Sequence, residues 1–119
     1  MPYILDEFNY YFETPFDATD PNFAQCPIDR ANKGNGDGKS SMYIVNHFLD
    51  IQALNIGDLN LLVPDRQNAA RTNAATGSGS IGAQADVCKG LYGRYPNVVL
   101  VDYFGRGDAL AAQKHMNAG

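Results

Sequence analysis

Three short apolar runs, each ending in a polar or titratable residue, restrict what this chain can fold into. They are Pro2-Tyr3-Ile4-Leu5-Asp6-Glu7, Met42-Tyr43-Ile44-Val45-Asn46-His47 and Val98-Val99-Leu100-Val101-Asp102. A near-continuous apolar run suits a strand buried on both faces, as in a parallel sheet covered by helices. A polar residue at the C-terminal end of such a strand stands where α/β folds place their sites. The pattern predicts an α/β enzyme. Three strands are too few to close a barrel on their own.

The rest of the chain is consistent with that class. Its 119 residues suffice for one domain, and 45% hydrophobic content is that of a globular protein. The net charge of −4 and the absence of any Lys/Arg block argue against nucleic acid as a partner. The apolar stretches are far shorter than a transmembrane segment needs. No signal peptide is visible. A buried-looking strand that opens the chain reads as a fragment lacking an N-terminal part.

Residues 8–22 form an aromatic, acidic loop, and residues 27–41 a Gly/Asn/Ser-rich one. A second strand is predicted over 42–48. Residues 50–63 mix Leu and Ile with Asn, Gly and Asp and fit no single period. A loop follows from Pro64 to Thr76. Ser78 or Ser80 caps a helix that runs to about Gly90, with Ile81, Ala85 and Cys88 on one face. The third strand spans Val98 to Tyr103, and Asp108 begins a last helix over Ala109 to Asn117. The order β…β–α–β–α, with a long crossover, reads as parallel strands with outer helices.

Several constellations carry chemistry. Gly77-Ser78-Gly79-Ser80-Ile81-Gly82 matches G-x-G-x-x-G, and Asp102 follows at the spacing of about 20 residues that dinucleotide sites use. That is the alternative function, a nucleotide-binding oxidoreductase. Its mechanism requires a strand directly before the first glycine, and Arg71-Thr72-Asn73-Ala74-Ala75-Thr76 does not supply one. The bland reading is a Gly/Ser loop capping a helix.

Asp102, at a strand end, suits a supporting catalytic role: a carboxylate that orients and charge-stabilises a histidine. It equally suits a strand-end acid bonding a loop. Of Asp6 and Glu7, and of Asn46 and His47, only one each can face the same side as Asp102, because side chains alternate along a strand. All four are candidate substrate-binding positions. The carboxylates would tolerate Ca2+, but their spacing carries no metal signature, so no cofactor is assigned. The aromatics Tyr10, Tyr11, Phe12, Phe16 and Phe23 line a ligand or lipid mouth, or pack under a long loop. Arg66 and Arg71 are anion candidates or solvated surface. His115 reads as a partner of a helix C-terminus.

Leu5-Asp6-Glu7-Phe8, Tyr11-Phe12-Glu13-Thr14-Pro15-Phe16 and Met42-Tyr43-Ile44-Val45-Asn46-His47-Phe48-Leu49-Asp50 together resemble fungal phospholipase C-like phosphodiesterases. So do the run from Thr72 to Asp86, Tyr92-Gly93-Arg94 and Pro96-Asn97-Val98-Val99-Leu100-Val101-Asp102-Tyr103. The resemblance covers nearly the whole chain. The run 72–86 is its specific part; the single strands are not specific. It implies the C-terminal part of a TIM-type (β/α) barrel, like the X-domain of phosphatidylinositol-specific phospholipase C. It makes 1–119 one segment of a longer barrel, because a complete one takes about 250 residues. The implied chemistry is general acid–base cleavage of a phosphodiester, with a phosphoinositide lipid as the implied substrate class. The family's two histidines and its arginine lie in the first half of the barrel, so this segment alone is expected to be inactive. His47 and His115 do not stand in those motifs. Asp102 is the one position that carries over, in a supporting role. A third reading is a non-catalytic lipid- or inositol-binding module. The regions 33–39 and 59–61 look irregular for the family. The two cysteines, Cys26 and Cys88, form no CxxC, and free thiols are the default. The resemblance implies a secreted, extracellular protein, which would favour a disulfide between them.

Overall fold

A computed structural model describes residues 7–16, 18–31, 37–57 and 59–119. The first predicted strand falls largely on residues 1–6, outside them, and so does Asp6. Glu7 begins a short 3-10 turn, Glu7–Asn9. The first described strand is β1, Tyr11–Glu13, inside the stretch predicted as an aromatic loop. β2 is Met42–Asn46, and β5, Val98–Leu100, is shorter than the predicted third strand. They form one parallel sheet in the order β1-β2-β5. The chain is therefore α/β with a parallel three-stranded sheet. Among the described residues that sheet is open and does not close into a barrel.

The ambiguous stretch 50–63 is an antiparallel hairpin, β3 (Asp50–Ile56) with β4 (Leu59–Pro64). Its apolar residues Ile51, Ile56, Leu59 and Leu61 escape a simple period because they are exposed rather than core. Ile56 is 62% and Leu59 64% exposed, and the register breaks at a bulge between Gln52 and Leu54. A four-residue helix, α1 (Ala69–Thr72), interrupts the predicted loop after Pro64.

The two longer helices match their sequence signals. α2 (Ile81–Tyr92) is capped by Ser80, whose hydroxyl accepts from the Ala83 N–H at 3.1 Å. It stops at Gly93, left-handed at φ 78°, which frees the chain to turn without a Cβ penalty. α3 (Ala109–Ala118) is capped by Asp108, which accepts from the Ala111 N–H.

The core lies between the sheet and α2. Phe12, Cys26, Tyr43, Val45 and Cys88 pack together, with Ile28, Tyr92 and Val99 around them. Phe12 and Tyr43 stack with ring centres 4.9 Å apart, as neighbours in the β1–β2 register must. The buried Tyr43 hydroxyl donates to the Arg94 carbonyl, and burial pushes its pKa up to about 12. Cys26 and Cys88 form a disulfide across this core, closing a separation of 62 residues. It ties the loop after β1 to α2.

Candidate functional site

The parallel register puts the C-terminal ends of β1, β2 and β5 side by side. Glu13 pairs with Ile44, and Asn46 with Leu100. Neighbours in a parallel register point to the same face. Tyr43 and Val45 point toward α2, so His47 continues that side. Met42, Ile44 and Asn46 take the other, together with Tyr11, Glu13, Val98 and Leu100. No helix covers this second face among the described residues, and Met42, Val98 and Leu100 are each more than a third exposed. It is an apolar face with polar residues at its C-terminal end.

This geometry resolves the two pairs that alternation left open. His47 is fully buried on the helix side. Its Nε2 lies 2.6 Å from the Thr72 carbonyl and its Nδ1 2.5 Å from Gln84 Oε1, and its ring packs on Phe23. Gln84 in turn donates to the Gln25 carbonyl. A neutral imidazole has a proton for one of the two oxygens; an imidazolium would serve both. Removal from water outweighs that gain and pushes the His47 pKa below its ordinary value. His47 therefore works as a buried joint between β2, α1 and α2.

Asn46 lies on the open face. Its backbone N–H donates to Thr14 Oγ1 at 3.0 Å, and its side-chain amide donates to the Thr14 carbonyl at 2.8 Å. These bonds splice the ends of β1 and β2. Glu13, one residue earlier on β1, is nearly buried. Its Oε2 is 2.7 Å from Arg30 Nη2, and Arg30 also lies over the Phe16 ring at 4.8 Å. That contact is an ion pair, and among the described residues Glu13 Oε2 accepts no further hydrogen bond.

Asp102 stands two residues past β5 at the same sheet end. It shares a small cleft with Leu49, Asp65, Thr72, Asn73 and Tyr103. Asp65 is buried there, and its two carboxylate oxygens accept from the Asn68 backbone and side chain at 3.1 and 2.6 Å. Asn73 donates its amide to the carbonyls of Asp102 and Tyr103. Glu7 lies at the other end of the sheet. Its carbonyl accepts from Tyr10, whose own carbonyl meets the first residue of β2, Met42. The structure thus brings Asn46 and Asp102 to one sheet end, puts His47 behind it, and separates Glu7 from all three.

Sequence reasoning did not single out Glu13, Asp65 or Asn73. A signal for Glu13 existed: it follows Phe12 in a run alternating between core and open face. Asp65 and Asn73 sit in loop composition that carries no period. Of the other candidates, Phe12 and Phe23 are core and Phe16 stacks on Arg30. Arg71 is engaged by the Ser78 carbonyl and by Asn22. His115 lies in the last turn of α3, 3.8 Å from Asp86. The glycine run follows α1 and a turn rather than a strand, so it lacks the βα turn that a dinucleotide site needs. Two of its glycines, Gly79 and Gly82, have packing reasons. A Cβ on Gly79 or Gly82 would meet the carbonyl oxygen of Pro21 at 2.0 Å or of Ala75 at 1.9 Å.

The family model PI-PLC X 1 matches residues 1–117. The chain belongs to the PI-PLC X domain family. This PI-PLC X chain is 54% identical, over 117 residues, to "PI-PLC X domain-containing protein 1" of the fungus Arthroderma benhamiae, covering 98% of this chain and 36% of that protein. It is 44% identical over 109 residues to an "Uncharacterized secreted protein" of the same fungus, covering 91% of this chain and 24% of the relative. The chain thus spans about a third and a quarter of the lengths of these relatives. No solved structure matches. Among the described residues no helix is long and apolar enough to cross a membrane, and no group of three or more His, Cys, Asp or Glu is placed to hold a metal ion.

Proposed function

We propose that this PI-PLC X chain is one arc, the C-terminal part, of a TIM-type (β/α) barrel in a phospholipase C-like phosphoric diester hydrolase. The observation that carries the reading is the sheet's open face. Among the described residues the parallel strands bear helices on one side only. The other side is apolar along its length and ends in Glu13 and Asn46, with Asp102 just beyond β5. That is how a barrel strand divides its faces, with the reacting groups at the C-terminal rim. Further strands pairing on the free edge of β5 would bury Val98 and Leu100.

In this reading the proton-transferring histidines come from outside these 119 residues. Asp102 holds one of them in the tautomer and orientation that general-base catalysis needs and stabilises the imidazolium that forms. Asn46 and the Glu13 carboxylate, ion-paired with Arg30, face the substrate. An acceptor and an amide beside an arginine suit a hydroxyl-rich headgroup such as inositol next to a phosphate. Glu7 is left out, because it lies at the opposite end of the sheet. The protein acts outside the cell. The secreted relative supports that, as does a disulfide that cytosolic thiols would reduce.

The test is release of water-soluble inositol phosphate from phosphatidylinositol vesicles by the full-length protein. Release that falls sharply in Asp102→Asn supports the reading. Vesicle binding with no release favours a binding module.

A further inference from the structure

The turn after β5 holds a backbone outlier beside the proposed catalytic support. Tyr103 has φ +51°, the only described non-glycine residue in the left-handed region. A bulky residue rarely adopts that conformation unless its surroundings fix it. Burial of its ring does not do so, because Tyr103 is 41% exposed. The constraint comes from its carbonyl and from the one before it.

Asn73 supplies that constraint. It is 1% exposed. Its Nδ2 donates to the Asp102 carbonyl at 2.8 Å and to the Tyr103 carbonyl at 3.1 Å. Two protons on one nitrogen thus pin two successive peptide groups. The Tyr103 carbonyl also accepts from the Arg106 N–H at 2.8 Å, which closes the turn. Asn73 is itself anchored at both ends of its backbone. Its N–H donates to the Ala69 carbonyl and its own carbonyl accepts from Asp108. Gly107 packs so tightly here that a Cβ would lie 2.9 Å from Asn73 Cβ. The side chain therefore has one place to go.

We infer that Asn73 is a positioning residue for the phosphodiester cleavage: by clamping the Asp102 and Tyr103 carbonyls it holds the left-handed turn that aims the Asp102 carboxylate. The inference rests on the reading of Asp102 given above. Aspartate at 73 would keep the shape of the side chain but offer two acceptors to two carbonyls. The clamp would open and Tyr103 would relax toward an ordinary backbone conformation.

The test uses the full-length protein and phosphatidylinositol vesicles. Asn73→Asp should lower kcat by on the order of 10²-fold with KM little changed, the loss expected when a reacting group is misaimed. The acid limb of its pH–rate profile should move in the same direction as that of Asp102→Asn. Adding Tyr103→Gly should restore most of the activity, because glycine takes the left-handed conformation without a clamp. Adding Tyr103→Ala should not, although it removes the same ring. Should Asn73→Asp fail to fold, Tyr103→Val against Tyr103→Gly in the otherwise unaltered protein asks the same question: valine should lose activity and glycine keep it. Activity retained in Asn73→Asp while Asp102→Asn loses it overturns the inference and leaves the reading of Asp102 intact. So does a loss that Tyr103→Gly and Tyr103→Ala repair equally or not at all, or equal activity of the valine and glycine variants. No cleavage by the unaltered protein sinks both.

Discussion

Removing the Cys26–Cys88 bridge should destabilise the native state by an amount that can be worked out beforehand. The bond closes a separation of 62 residues. A cross-link of that span withholds about 4 kcal/mol of chain entropy from the unfolded state. Both cysteines sit in the core against Phe12, Tyr43 and Val45, so alanine is the replacement that strands no polar atom. In Cys26→Ala/Cys88→Ala the urea midpoint should fall by about 2 M for a denaturant slope near 2 kcal/mol per M. The unaltered protein unfolded in the presence of a strong reductant should fall by a similar amount. Ellman titration of denatured, non-reduced protein should find no thiol at these positions. A count of two thiols there, or a midpoint that moves by less than about 0.3 M, would refute the argument.

Other expectations follow from single contacts. His47 is buried with its pKa depressed, so the folded state binds its proton less readily than the unfolded chain. Its contribution to stability should be complete above the unfolded value near 6.5 and be lost as pH falls below it. His47→Gln should flatten that part of the stability–pH curve, and an unchanged slope would contradict the assignment. Gly82→Ala and Gly79→Ala should each cost about 1–3 kcal/mol or more, measured by chemical unfolding, because the added methyl meets a backbone carbonyl. The unaltered protein should show no saturable nicotinamide-cofactor binding by fluorescence, because no strand precedes the glycine run. Glu13→Gln should raise KM for phosphatidylinositol more than it lowers kcat, if Glu13 Oε2 binds a substrate hydroxyl.

The sequence was most readable where one local rule decides the structure. Ser80 and Asp108 cap their helices, and Met42–Asn46 and Val98–Leu100 carry enough β-branched residues to stand as strands. β1 was hidden because Tyr-Phe-Glu is three residues long and sits among aromatics that elsewhere pack under loops. The hairpin was hidden because Ile56 and Leu59 are exposed, so hydrophobicity there does not report burial. The site was legible as a set of strand ends but not as a set of faces. Whether Asn46 or His47 meets the open face depends on which side α2 covers, and that is a tertiary fact. Asn73 was illegible for a similar reason: its partners lie 29 and 30 residues away, in a turn whose conformation no local pattern announces.

The most direct test of the account is the release of inositol phosphate from phosphatidylinositol vesicles by the full-length protein and its Asp102→Asn variant. The account predicts release by the unaltered protein and a loss of about 10²-fold or more in kcat/KM for the variant. Equal rates for the two proteins, with product formed, would contradict the role given to Asp102. No product from either would contradict the hydrolase itself.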